Sequence, residues 1–92
     1  SPAAARLFND RELAYLASQS TAIACECPTH LAELITRLLH FELYSAECES
    51  RSAEDAALHA YLHKTTSRAR NIMERALVRV VELENLSLLP DS

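Results

Sequence analysis

Apolar residues recur at helical spacing in three stretches of this chain, and each stretch predicts one element. In RELAYLASQS, Leu13, Leu16 and Ala17 fall on one face of a short helix, with Asn9 or Asp10 as its N-cap. After Pro28, whose missing N–H costs nothing in a first turn, Leu31, Leu34, Ile35, Leu38, Leu39, Phe41 and Ala46 form a wide core-facing stripe. That helix is expected over about 28–49, with Cys27 or Thr29 as its cap. The connection at 50–52 is short, so the next helix must return antiparallel. Ser52 and Asp55 resemble a capping box, and Leu58, Leu62, Thr65, Ala69, Ile72, Ala76, Val80 and Leu83 then keep a near-heptad seam. A helix over about 53–85 would be on the order of 45–50 Å long. Its last turns, MERALVRVVELENL, would overshoot the shorter partner and need another surface.

The expected architecture is therefore all-α: an antiparallel helical hairpin, about 28–49 and 53–85, plus a short N-terminal helix, completing a helical bundle as a homodimer. Residues 1–8 read as a linker from a preceding domain, 9–86 as the helical domain and 87–92 as a tail. Composition strengthens the all-α assignment. Gly is absent, and Pro stands only at positions 2, 28 and 90, so one strong helix breaker separates Ala3 from Leu89. A chain of 92 residues makes one domain and hides only about 60–65% of its unfolded surface, which again favours a second copy.

The formal charge is −4, with cations interspersed among carboxylates, so the sequence offers no basic stripe for a nucleic-acid backbone. No apolar run has the length of a membrane span, and the opening residues show no basic-plus-apolar signal-peptide pattern. A cytoplasmic protein is expected. Three cysteines make no disulfide framework. The opening SPAAAR reads as a cut inside a longer protein.

The stretch CECPTHLAELITRLLHFELYSAEC carries most of the candidate chemistry. Cys25, Cys27 and His30 are thiolate and imidazole donors suited to Zn²⁺ or another thiophilic metal, while burial as small apolar groups is the commoner fate of free cysteine. Cys27 is the better reactive thiol of the pair, because a helix N-terminus lowers a thiol pKa. Cys48 lies about 30 Å along the helix from Cys27 and can join only from another subunit. His40, His59 and His63 form a second set: His59 and His63 are one turn apart, and an antiparallel hairpin brings His63 level with His40. The alternative is an ordinary interface flank, with hydrogen bonds to Glu42, Glu47 or Tyr44. Glu42, Tyr44, Glu47 and Glu49 facing Arg68, Arg70 or Arg51 would line a polar pocket for a cation, or else form a solvated charged face. No triad arrangement and no phosphate-binding glycine loop is present, so catalysis has no support.

The same stretch, followed by DAALHAYLHKTTSRARNIMERAL, resembles the region C-terminal to the winged helix-turn-helix domain in a bacterial group of MerR-type (mercury-resistance-regulator-like) transcription regulators. FNDRELAYLASQSTAI is similar to the segment joining the two parts. The resemblance implies a dimerising, effector-sensing domain that contacts DNA only through a missing N-terminal domain, with a small molecule or metal as effector. One departure matters. Metal sensors of that family place cysteines after a long dimerisation helix, whereas Cys25 and Cys27 precede one, so metal sensing is not carried over. A small metal-binding helical bundle and a plain oligomerisation module remain the alternatives.

Overall fold

The computed structural model describes residues 4–19, 25–51 and 53–88, and within them the fold is all-α without strands. Three helices follow in order: α1 Asp10–Ser18, α2 Cys27–Arg51 and α3 Ala56–Leu83. α2 and α3 make the expected antiparallel hairpin, and α1 lies on α2. The extents of 49 × 21 × 18 Å leave room for about two helix diameters across, so every helix keeps one face in solvent.

Short-range chemistry sets the ends. Asn9 caps α1 through a full capping box: its side chain accepts from the Glu12 N–H at 2.8 Å, and the Glu12 carboxylate accepts from the Asn9 N–H at 2.9 Å. α2 begins one residue before Pro28, and the Glu26 carbonyl accepts its first helical bond from His30, so Glu26 takes the cap position expected at Cys27 or Thr29. Thr29 instead ties α1 to α2, its hydroxyl donating to the Leu16 and Gln19 carbonyls at 3.3 and 3.4 Å. Asp55 is the N-cap of α3 but makes no side-chain cap bond, and Ser52, the other half of the expected box, lies outside the described residues. The helix ends in a Schellman turn: the Leu86 N–H reaches Val81, the Asn85 N–H reaches Glu82, and Asn85 takes the left-handed conformation at φ 53°. In a chain without glycine, asparagine is the side chain that tolerates this best.

Two expectations are corrected. α2 and α3 have 25 and 28 residues, so neither greatly overshoots the other. The last turns of α3 do find partners in the chain: Leu77 is fully buried with Phe8, Leu13, Leu16, Ala32 and Ile35, and Met73, Val78, Val81, Leu86 and Leu88 pack against that cluster. The second correction concerns which faces turn inward. Leu34 and Phe41 are exposed, and Pro28, Ala32, Ile35, Glu42 and Ser45 are the buried positions of α2 among the described residues. On α3 the expected seam residues Leu58, Thr65, Ile72 and Leu83 are exposed, and Thr66, Ser67, Arg70, Glu74 and Leu77 are buried. The physical reason is a set of charges that must be inside together.

Candidate functional site: a buried arginine clamp beside a cavity

Arg70 is 1% exposed and Glu74 is fully buried, an arrangement tolerated only when both are paired and hydrogen-bonded. The guanidinium meets Glu42 in a two-pronged pair, Nε to Oε1 and Nη2 to Oε2, each at 2.9 Å. Its Nη1 donates to Glu74 Oε1, one turn along α3, also at 2.9 Å. The remaining donors hold backbone: Nη2 reaches the Ala4 carbonyl at 2.6 Å and Nη1 the Ala5 carbonyl at 3.3 Å. Ser67 and Glu74 complete the grip, accepting from the N–H groups of Ala4 at 2.7 Å and Leu7 at 3.0 Å. Phe8 then seats its ring in the core. Residues 4–8, within the stretch that reads as a linker, are a non-helical strap held through its main chain by three polar side chains of α3.

The electrostatics follow from the geometry. Burial pushes the Glu42 carboxyl up, but the hydrogen bonds and charge of Arg70, with help from Ser67 and His63, outweigh it and hold the group below the ordinary value. Hydrogen bonding to Glu42, opposed by burial and reinforced by Glu74, raises Arg70. Glu42 and Arg70 therefore stay ionised at neutral pH. Of the two readings for this cluster, the solvated charged face is overturned for Glu42 and Arg70; Arg68 does point to solvent. Glu74 and Ser67 are not singled out by sequence reasoning, although Ser67, Arg70 and Glu74 stand at one-turn spacing.

A cavity of about 520 Å³ opens beside the clamp, where the strap, α2 and α3 meet. Glu42 and Arg70 form part of its wall with Leu39, Leu43, His40 and His63. His40 and His63, expected to fall level in the hairpin, both line this cavity. His59 is not part of this wall; its Nδ1 is buried without a hydrogen-bond partner among the described residues, as is Ser45 Oγ. A second cavity of about 600 Å³ lies between α1 and α2 and shares Asp10, Thr36 and His40 with the first.

The cysteine cluster is arranged differently from expectation. Cys25 and Cys27 are exposed, not buried, and the Cys27 N–H lies 3.4 Å from Cys25 Sγ. The neighbouring thiol raises the Cys27 pKa by hydrogen bonding and by charge, which overturns the expected lowering at a helix start. His30 sits between Glu26 at 3.6 Å and Glu33 at 3.8 Å. Cys48 is half-buried near the far end of α2. Among the described residues no three His, Cys, Asp or Glu side chains are grouped so as to hold a metal ion, so neither Cys25, Cys27 and His30 nor His40, His59 and His63 forms an assembled site. No helix among the described residues is long and apolar enough to cross a membrane. The chain matches no protein-family model, no curated protein and no solved structure.

Proposed function

We propose that this chain is the effector-sensing and dimerising part of a cytoplasmic bacterial MerR-type transcription regulator, with DNA contacted by a helix-turn-helix half N-terminal to it. The observation that carries the sensing role is the clamp. The strap, through which any N-terminal half would be joined, is held by the same Arg70 that helps to wall a ligand-sized cavity. A small molecule seated against His40 and His63 would compete for, or reinforce, the Arg70 and Glu42 contacts and so change how firmly residues 4–8 are held. Such a device transmits occupancy as strap geometry and is non-catalytic. Dimerisation is supported by large apolar side chains left in solvent on both arms of the hairpin, Leu34 and Phe41 on α2 and Leu58 on α3.

The sensing reading is tested by nuclear magnetic resonance with small carboxylic acids, amines and zinc chloride as probes. A compound that shifts the His40 and His63 imidazole signals is expected to shift the Ala4 and Leu7 amides as well, with that coupling weakened in Ser67→Ala. Imidazole shifts with unmoved strap amides would refute the coupling. The family reading requires a helix-turn-helix encoded directly upstream of Ser1. Dimerisation requires a concentration-dependent dimer in sedimentation equilibrium that Phe41→Glu dissociates.

A further inference from the structure

The outward face of α3 carries a pattern of its own. Tyr61, Ile72 and Leu83 stand eleven residues apart, and cations repeat between them at the same period: Lys64 and Arg68 in the first interval, Arg75 and Arg79 in the second. Eleven residues make almost three whole turns of an α-helix, so such a repeat runs nearly straight along the axis, about 16 Å per period. All seven side chains are exposed, the three apolar ones at 64%, 61% and 74%. None of the four cations is in an ion pair among the described residues. Between Ala56 and Val81 the sole carboxylate is Glu74, and it is spent inside the clamp. The even mixing of charge read from the sequence therefore fails over these turns of the helix: burying Glu74 leaves a one-sign surface up to Val81, beyond which exposed Glu82 and Glu84 flank Leu83.

We propose that this ridge docks an acidic amphipathic helix of a partner protein, one that presents apolar side chains to Tyr61, Ile72 and Leu83 and carboxylates to the flanking cations. Charge complementarity names the partner's sign, and the straight apolar line names its shape. A nucleic-acid backbone would satisfy the cations but leave the three apolar side chains facing phosphate. A lipid surface would take the apolar side chains only by carrying Arg68, Arg75 and Arg79 below the headgroups, since the apolar side chains are three turns apart with cations between them. A partner helix meets both chemistries at one depth.

The test uses the full chain at 150 mM salt and a synthetic helical peptide of about 25 residues with leucine at every eleventh position and glutamates between. A peptide of the same composition in shuffled order is the comparison, and binding is read by fluorescence anisotropy. The patterned peptide is expected to bind at least about tenfold more tightly than the shuffled one. Arg68→Glu and Arg75→Glu are each expected to weaken it about fivefold, Ile72→Ala severalfold, and Arg11→Glu, the same charge change on α1, less than twofold. Equal binding of the shuffled peptide, or an equal effect of Arg11→Glu, would reduce the ridge to a general electrostatic surface and overturn the proposal. It would also be overturned by tighter binding of a 24-base-pair duplex or of anionic phosphatidylglycerol vesicles, or by self-association that Arg68→Glu abolishes, which would make the occupant a nucleic acid, a membrane or a second copy.

Discussion

The two faces of α3 invert the usual distribution of side chains. Its inner face from Thr66 to Leu77 buries an arginine, a glutamate, a serine and a threonine, whereas its outer ridge exposes tyrosine, isoleucine and leucine. The difference lies in what each face must recognise. Apolar burial is non-directional and would hold the strap at any register, whereas a planar guanidinium with carboxylates on two sides specifies which carbonyl sits where. The outer ridge makes no such contact among the described residues, so its exposed apolar side chains contribute little to the fold and remain available for binding.

Substitution at the two faces separates these roles. Arg70→Ala leaves Glu42 and Glu74 buried without their cation, and a loss of about 3–5 kcal/mol is expected in urea unfolding, enough to threaten a domain of this size. Removing all three charges together, in the triple variant Glu42→Leu, Arg70→Met and Glu74→Leu, would break the contrast most sharply. That variant is expected to regain most of the stability while the strap amides of Ala4 and Leu7 exchange faster with solvent; slow exchange retained there would show that packing alone holds the strap. Acid is a gentler probe. A Glu42 carboxyl held below its ordinary value of 4.5 contributes stability that is complete above that value and is lost as pH falls through its depressed native one. Unfolding free energy measured downward from pH 5 should therefore decline less steeply in Glu42→Gln. Asn85→Ala tests the end of the helix, where a side chain without an amide meets a left-handed backbone, and about 1 kcal/mol is expected. The smallest effect belongs to the outer ridge: Ile72→Ser should change stability by no more than about 0.5 kcal/mol.

The helices themselves are readable in the sequence, because the absence of glycine and a lone internal proline leave few other options, and the Asn9 cap carries its own signature in Glu12. The inward faces are not. Hydropathy assigns Leu34, Phe41 and Ile72 to a core and Glu42, Arg70 and Glu74 to water, and it has no means of knowing that one guanidinium pairs with two carboxylates when they are brought together from two helices. Half of the candidate site is visible in the His40 and His63 levels, which follow from hairpin geometry. The strap leaves no sequence signal because its bonds run through backbone groups that every residue possesses. The outer ridge is hidden for a related reason: counting Glu74 as a surface charge disguises the repeat of cations around it.

The Arg70 clamp also bears on the order in which the molecule assembles. Helical contacts and the α2/α3 turn join residues close in the chain, whereas Ala4 meets Ser67 across 63 positions and Leu7 meets Glu74 across 67. Closing so long a loop costs chain entropy before any bond rewards it, so the strap is expected to close after the hairpin has formed. Contacts made after the rate-limiting barrier act mainly on the unfolding rate. The clamp is thus a brake on opening more than an aid to folding, and a ligand that tightened it would lengthen the lifetime of the closed form without speeding its formation.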